Sequence, residues 1–127
     1  MARILLVDDD ASILEAYQLL LEAEGHTVVT AANGVEAFTI LVDRINPRDM
    51  GTDLLITDLQ MPRLDGLGLI KIVRESSIPV IRDLLAILIS GGYLEETQRV
   101  GIEAGADMVL PKPCDYLVAA VNRLLRR

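Results

Sequence analysis

The amino-acid sequence is poor in cysteine, in aromatic residues and in long apolar runs. Its single cysteine, Cys114, cannot form an internal disulfide and cannot by itself build a zinc site. Tryptophan is absent and aromatic residues make up only 3% of the chain, which argues against a base-stacking surface. The longest uncharged apolar run covers residues 84–89, far short of the roughly 18–20 residues that cross a bilayer. No signal-peptide pattern opens the sequence, and we therefore expect a cytoplasmic protein.

Positive charge is also in short supply. Twelve Lys and Arg residues stand against 19 Asp and Glu residues, which gives a net charge of −7. Such a charge disfavours nucleic acid and anionic membranes as direct partners, because both would be repelled. Protein partners and small molecules remain. A length of 127 residues is typical of one domain, which we assign to residues 1–127.

Short apolar runs alternate with amphipathic segments along the chain, a pattern typical of βα units around a parallel sheet. The runs are nearly continuous in apolar character, as strands covered on both faces should be. They predict five strands, at residues 4–7, 27–31, 54–57, 85–89 and 108–110.

Five helices are predicted to follow these strands. The first helix begins with a Ser12-x-x-Glu15 capping box and ends at Gly25, and the second begins at Asn33 and ends before Pro47. The third begins near Asp65. The fourth covers residues 94–104 and ends at Gly105, and the fifth begins at Asp115. Two long connections, 46–53 and 75–84, follow helices and should lie at the amino ends of the strands, away from any ligand. Pro79 leaves an earlier start of the fourth strand open.

Polar side chains follow four of the predicted strands at their carboxyl ends, where ligands bind in sheets of this kind. They are Asp8, Asp9 and Asp10 after the first strand, Asp58 after the third, Ser90 after the fourth and Lys112 after the fifth. Each alone could be a helix cap, a turn residue or a solvated charge, and Asp10 is interpreted as a cap.

The carboxylates are harder to explain as a group. At roughly 5 Å apart they repel each other by about 3 kcal/mol per pair at an effective dielectric constant near 20. A divalent cation removes this repulsion, and an oxygen-only set favours Mg²⁺, or a similar ion such as Mn²⁺, over zinc. Asp58 stands alone on its strand and is best placed to attack phosphorus and form an acyl phosphate. Asp8 and Asp9 then serve as metal ligands.

The remaining residues of the set suit an incoming phosphoryl group. Lys112 and the metal ion bring the summed charge of the site to about zero, so that an anionic group can enter. Lys112 would contact the phosphoryl oxygens by its charge and Ser90 by a hydrogen bond. Gly91 and Gly92 leave access beside Ser90 and allow the following loop to move.

Four segments, in this order, carry a family resemblance over nearly the whole chain: ILLVDDD at 4–10, DLLITDLQMPRLDG at 53–66, ILISGG at 87–92 and AGADMVLPKP at 104–113. Together they resemble the CheY-like receiver domains of two-component response regulators. The resemblance implies an α/β, flavodoxin-like, doubly wound fold with a five-stranded parallel sheet in the order 2-1-3-4-5. It also implies that the domain is no turnover enzyme but catalyses the phosphorylation and dephosphorylation of its own aspartate.

The resemblance further implies a role for each residue of the site. The metal ligands are Asp8, Asp9, Asp58 and the backbone carbonyl of Gln60. Asp58 is the phosphoacceptor, Ser90 provides the switch hydroxyl and Lys112 the family's lysine, followed by a cis bond to Pro113. The phosphoryl donor is a phosphohistidine of a sensor histidine kinase or of a histidine phosphotransfer protein, and the downstream protein target is not identified.

Two positions depart from the family pattern. Val109 stands three residues before Lys112, where the family usually has a Tyr or Phe that rotates inward on activation. Cys114 stands where the family often has Phe, beside the fourth helix, fifth strand and fifth helix that usually meet partners. Partner identity is therefore not carried over, and Cys114 is interpreted as a small packing residue.

The residues are also compatible with other classes of function. Asp8-x-Asp10-x-Ser12 after an apolar strand is similar to the signature of haloacid-dehalogenase-type phosphatases, in which Asp8 would be the nucleophile. A docking module that does not use phosphate is a second alternative. A flavin-binding protein of similar fold is disfavoured, because the three aspartates would repel the flavin phosphate.

Overall fold

The computed structural model describes residues 2–44, 51–91 and 94–126. The strands are β1 (Arg3–Val7), β2 (Thr27–Ala31), β3 (Leu54–Asp58), β4 (Leu85–Ser90) and β5 (Met108–Pro111). The helices are α1 (Ala11–Ala23), α2 (Gly34–Asp43), α3 (Gly66–Glu75), α4 (Pro79–Arg82), α5 (Leu94–Ala104) and α6 (Leu117–Leu125). The strands form one parallel sheet in the order β2-β1-β3-β4-β5, which confirms the flavodoxin-like fold and the expected strand order.

The sheet is covered on both faces, which explains why its strands are nearly continuous in apolar residues. Alternate side chains of the central strands enter two separate cores. One core lies under α2, α3, α4 and α5, and the other lies under α1 and α6. All five predicted strands are present, and four of them gain one residue at an end.

The prediction of five helices is wrong, because the part of the chain that the structure describes contains six. The additional helix is α4, in the connection 75–84 that was read as a loop. Pro79 stands at its first turn, where the missing proline N–H costs no hydrogen bond, so this proline begins a helix and not an early fourth strand. No helix of the described ranges is long and apolar enough to span a bilayer.

The cap of α1 also differs from the prediction. The Asp10 carboxylate accepts hydrogen bonds from the N–H groups of Ser12 (2.9 Å) and Ile13 (3.4 Å), so Asp10 and not Ser12 is the capping residue. The capping box of Ser12 and Glu15 is therefore wrong, whereas the interpretation of Asp10 as a cap is confirmed. The helix ends before Gly25, whose φ of 93° suits glycine.

The predicted start and stop signals of α2, α3 and α5 are confirmed where the structure describes them. Asn33 and Asp65 accept hydrogen bonds from the backbone N–H three residues later, at 2.9 and 2.8 Å. Gly105 follows α5 with a φ of 116°. The predicted stop at Pro47, and most of the connection 46–53, lie outside the described residues.

The last helix begins two residues later than predicted, at Leu117 and not at Asp115. Residues 112–116 form a loop that includes the cis Lys112–Pro113 bond expected from the resemblance. Cys114 is buried in this loop, and its N–H donates a hydrogen bond outside the helix, to the hydroxyl of Tyr17. Tyr116 occupies the cap position of α6 without a side-chain hydrogen bond, so Asp115 does not cap this helix in spite of its capping ability.

Arg74 of α3 stabilises the amino edge of the sheet. Its guanidinium donates to the backbone carbonyls of Arg82, Leu84 and Gly105 and forms an ion pair with Asp107 at 3.1 Å. The planar guanidinium offers five N–H donors, so one side chain joins α3 to the ends of α4 and α5 and to the segments that precede β4 and β5. This edge is opposite to the one at which the polar residues collect.

Candidate functional site

Carboxylates from two neighbouring strands meet at the carboxyl edge of the sheet. The strand order reverses between β1 and β3, so Asp8 and Asp9, which follow β1, lie beside Asp58, the last residue of β3. Carboxylate oxygens of the three residues all lie within 4.8 Å of one another. Asp8 and Asp58 are only 4% and 7% exposed, whereas Asp9 is exposed. The structure therefore brings together the carboxylates that the sequence placed at the strand ends.

Lys112 reaches the same cluster from the loop after β5. Its Nζ lies 2.9 Å from Oδ2 of Asp8 and 3.3 Å from Oδ2 of Asp58. Its backbone N–H donates to the carbonyl oxygen of Ser90 at 3.0 Å, which fixes the start of the loop against β4. The other carboxylate oxygen of Asp8 accepts a hydrogen bond from the N–H of Asp10 at 2.9 Å. Both oxygens of Asp8 are thus engaged within the protein.

Burial and charge both change the proton affinities in this cluster. Burial is the largest effect on Asp58 and, together with the negative charge of Asp8, raises its pKa above the usual value, although Lys112 acts in the opposite direction. For Lys112 burial alone would lower the pKa, but its hydrogen bond to Asp8 and the charges of both carboxylates outweigh burial and raise it. Lys112 therefore carries a positive charge at neutral pH. One ammonium group is set against three carboxylates, a combination that favours binding of a cation.

The donor atoms of the cluster fit a hard divalent cation. Asp8, Asp9 and Asp58 offer oxygen only, and their spacing allows one ion to contact all three residues. Asp9, the exposed member, gives this edge a side open to solvent. Gln60, whose backbone carbonyl the resemblance adds to the ligands, lies in the exposed loop two residues beyond Asp58.

Ser90 lies buried at the end of β4, between β3 and β5 in the sheet. In the strand register it is paired with Pro111, the residue before Lys112. A Cβ built on Gly91 would meet no atom within 4 Å, so the space beside Ser90 is open and the protein alone gives no steric reason for glycine there. Gly92 lies outside the described residues.

Val109 and Cys114, the two departures from the family pattern, are both buried. Val109 packs beneath α5, where a Cβ on Gly101 would lie only 2.7 Å from its Cγ2. Cys114 contributes to the core under α1 and α6, and burial raises the pKa of its thiol. A buried thiol with a raised pKa is unreactive, which confirms the interpretation of Cys114 as a packing residue.

Two contributors to the site were not found from the sequence. Gly66 begins α3 directly beneath the phosphoacceptor candidate, and a Cβ on it would lie 2.3 Å from the carbonyl oxygen of Asp58. Its N–H donates to the carbonyl of Leu59 at 2.8 Å, so the helix start and the end of β3 are in direct contact. Tyr17 of α1, whose hydroxyl oxygen accepts a hydrogen bond from the Cys114 N–H, is the second. No local pattern signals either contact, because each depends on a residue distant in the sequence.

Comparison with known proteins gives one consistent family. The family model described as the response regulator receiver domain matches residues 4–122. The transcriptional regulatory protein CpxR of Escherichia coli is 40% identical over 130 residues, which cover 100% of this chain and 50% of CpxR. The response regulator MprA of Mycobacterium ulcerans is 40% identical over 129 residues, covering 98% of this chain and 50% of MprA.

The solved structures agree with the sequence relatives. The receiver domain of the Francisella response regulator 1452 is 30% identical and has a TM-score of 0.85, with 100% of this chain and 98% of that chain covered. The chain spans about half the length of the curated relatives it matches.

Proposed function

Because this chain belongs to the response regulator receiver domains of two-component systems, we propose that residues 1–127 form one receiver domain in which Asp58 accepts a phosphoryl group. The observation that carries the proposal is the meeting of Asp8, Asp9 and Asp58 with Lys112 at the carboxyl edge of the sheet. Three repelling carboxylates at this spacing bring no benefit to the fold itself, so their arrangement calls for a chemical use.

Asp8, Asp9 and Asp58, together with the backbone carbonyl of Gln60, are proposed to hold Mg²⁺, or Mn²⁺ in its place. Support comes from the oxygen-only donor set and from the excess of negative charge. When bound, the ion supplies two positive charges, which with Lys112 balance the three carboxylates and allow an anionic phosphoryl group to approach.

Asp58 supplies the nucleophile. One of its carboxylate oxygens forms a bond to phosphorus while the bond between phosphorus and the histidine nitrogen of the donor breaks, and that nitrogen keeps the electron pair. The product on this chain is an acyl phosphate. Lys112 holds one phosphoryl oxygen by its charge and Ser90 another by its hydroxyl group. Attack of water on phosphorus later restores the carboxylate and releases phosphate.

Asp8 is the nucleophile in the competing phosphatase hypothesis. Both of its oxygens accept hydrogen bonds, from the Asp10 N–H and from Lys112, which hold the carboxylate in one orientation. Each oxygen keeps a lone pair that can bind a metal ion, but the two hydrogen bonds stabilise the negative charge of Asp8, which makes this carboxylate a weaker nucleophile. This geometry favours Asp58 for the attack.

Phosphorylation is proposed to act on the output face, which we define as the surface of α5, β5 and α6. Ser90 ends β4 and Gly91 follows it on the way to α5, so movement of the Ser90 hydroxyl toward a phosphoryl group would pull the start of α5 in the same direction. The close contact between Gly101 of α5 and Val109 of β5 would pass the movement to the output face. Differential contacts of only a few kcal/mol are sufficient for such a shift in population.

The proposed phosphoryl donor is a sensor histidine kinase or a histidine phosphotransfer protein in the cytoplasm. The output face would then bind a downstream protein. Direct contact with nucleic acid or a membrane is not part of the proposal, because the chain carries a net charge of −7.

Intact mass after incubation with acetyl phosphate tests the proposal directly. We expect a phosphoryl adduct in the wild-type protein that requires Mg²⁺ and is absent in Asp58→Asn. Asp10→Asn is the matched control, since asparagine also caps helices and Asp10 is outside the cluster; its adduct should persist.

The alternatives give different results in the same experiment. Loss of the adduct in Asp8→Asn with retention in Asp58→Asn, accompanied by rapid phosphate release, would support the phosphatase. No adduct in any variant would contradict phosphorylation by a small-molecule donor and leave a docking module or a receiver that accepts the phosphoryl group only from a specific protein donor. For the output face, amide chemical shifts that change only at the strand ends on phosphorylation would contradict the proposed switch.

A further inference from the structure

The loop that carries Lys112 is bound by a side chain from α1, at the opposite end of the sequence. The hydroxyl oxygen of Tyr17 accepts a hydrogen bond from the backbone N–H of Cys114 at 3.1 Å. Cys114 is two residues beyond Lys112 and only 4% exposed. The partners of this bond are 97 positions apart, so the bond joins two elements that the chain connectivity leaves independent.

The loop is thereby attached at two points on either side of the cis bond to Pro113. At Lys112 its N–H donates to the carbonyl of Ser90 at 3.0 Å, which attaches the loop to β4. At Cys114 its N–H donates to Tyr17, which attaches the loop to α1. The Cys114 side chain packs in the core under α1 and α6, and the Tyr17 ring packs against the same core.

Given the function proposed above, we propose that Tyr17 is a positioning residue for Lys112. The Lys112 ammonium must lie close to Asp8 and Asp58, at 2.9 and 3.3 Å, to balance their charge and to receive a phosphoryl oxygen. Without the hydroxyl, the Cys114 N–H has lost its acceptor in a buried position, and the loop must move to find another. Small displacements of a group that orients a reacting phosphoryl group slow the reaction.

Two tyrosines of the chain provide a matched pair of variants. Tyr17→Phe removes the hydroxyl and keeps the ring, whereas Tyr116→Phe makes the same change at a side chain that is 63% exposed on the same loop. With acetyl phosphate and saturating Mg²⁺, we expect the rate constant for Asp58 phosphorylation to fall about fivefold in Tyr17→Phe, the equivalent of one hydrogen bond. Tyr116→Phe should leave the rate unchanged.

Two further readouts separate positioning from general loosening. The Cys114 amide and Lys112 ammonium resonances should shift in Tyr17→Phe, because the bond being removed acts on this loop. The Mg²⁺ dissociation constant, measured by titration followed by NMR, should not increase, because Tyr17 contacts none of the carboxylates and displacement of the ammonium takes positive charge away from them. A shift in the Cys114 amide with an unchanged phosphorylation rate would overturn the inference. Parallel losses of rate and Mg²⁺ affinity would also overturn it, in favour of a structural role.

Failure of the proposed function gives a distinguishable result, since the wild-type protein would then form no adduct at Asp58. Should Tyr17→Phe not fold, amide hydrogen exchange in the wild-type protein decides the matter. The Cys114 amide must then be protected from exchange, and rapid exchange at this position would overturn the inference.

Discussion

Replacement of Asp58 by asparagine should make the metal-free protein more stable at neutral pH. The Asp58 carboxylate is buried, and burial is the main reason that its pKa is raised, with the charge of Asp8 as the second reason. The attraction of Lys112 reduces this effect without cancelling it. Asparagine has nearly the same shape and no charge, so Asp58→Asn removes the cost of a buried anion and keeps the packing.

The magnitude follows from the distances in the cluster. With oxygens within 4.8 Å, Asp8 repels Asp58 by about 3.5 kcal/mol at an effective dielectric constant near 20, and the exposed Asp9 adds about 1 kcal/mol at that of water. Attraction between the Lys112 Nζ and Oδ2 of Asp58, 3.3 Å apart, stabilises the charged form of Asp58 by about 5 kcal/mol. These terms nearly cancel, so desolvation decides the sign. We expect a gain of about 1–2 kcal/mol in the free energy of unfolding, or roughly 3–8 °C in Tm.

The gain should depend on pH with a defined sign. Because the pKa of Asp58 is higher in the folded protein than its usual value of 3.8, protonated Asp58 favours folding. That contribution is complete below the usual pKa and is lost as the pH rises through the raised value. The advantage of Asp58→Asn should therefore be small at pH 4 and reach its full size at neutral pH.

Urea unfolding followed by far-UV circular dichroism, in EDTA and between pH 4 and pH 8, measures this difference. Asp43→Asn is the control, since it removes the same charge from an exposed position on α2 and should not change stability by more than about 0.5 kcal/mol. A lower stability of Asp58→Asn than of the wild-type protein at pH 7, or a gain that is the same at every pH, would show that burial does not raise the pKa of Asp58.

Three other predictions use urea unfolding at pH 7, with EDTA left out where Mg²⁺ is added. Mg²⁺ at a hundredfold excess over its dissociation constant should stabilise the wild-type protein by about 2.7 kcal/mol, and Asp58→Asn should lose most of this gain. An equal gain in both proteins would show that the ion binds outside the carboxylate cluster. Gly66→Ala should cost about 2–3 kcal/mol, because its Cβ would collide with the Asp58 carbonyl, whereas Gly91→Ala has open space and should cost about 0.5 kcal/mol or less. Arg74→Ala should lower the free energy of unfolding by about 2–4 kcal/mol, because partly buried acceptors lose their hydrogen-bond donor. Arg99→Ala, which removes an exposed ion pair, should lower it by about 0.5 kcal/mol or less. Similar losses in the two variants would contradict the role given to Arg74.

The strands and the acidic cluster could be predicted because each depends on a simple rule. A strand buried on both faces must be apolar at nearly every position, and such runs are visible in the sequence. The carboxyl-end rule then places Asp8 and Asp58 together once β1 and β3 are neighbours, and that strand order was supplied by the family resemblance. Neither rule requires knowledge of side-chain packing.

The features that were missed depend on contacts between distant residues or on very short elements. Four residues of α4 are too few to show a helical period, so Pro79 was read as loop or strand. Asp115 has the right side chain for a cap, but residues 115 and 116 form a turn and the helix begins at Leu117. Gly66 is required by the backbone of Asp58, which no local pattern reveals.

The packing of the helices indicates which of them can respond to the site. α3 is attached to its core by Leu69, Ile70 and Val73, and α6 by three buried side chains of its own, so displacement of either exposes large apolar groups. Among the residues of α5 whose burial is described, only Gly101 and Ala104 are buried, and neither is large. A cleft of about 220 Å³ also separates part of α5 from the loop after β3. Of these three helices, α5 therefore exposes the least apolar surface when it moves, counted over the described side chains, which favours it as the one that responds to a charge change at Asp58.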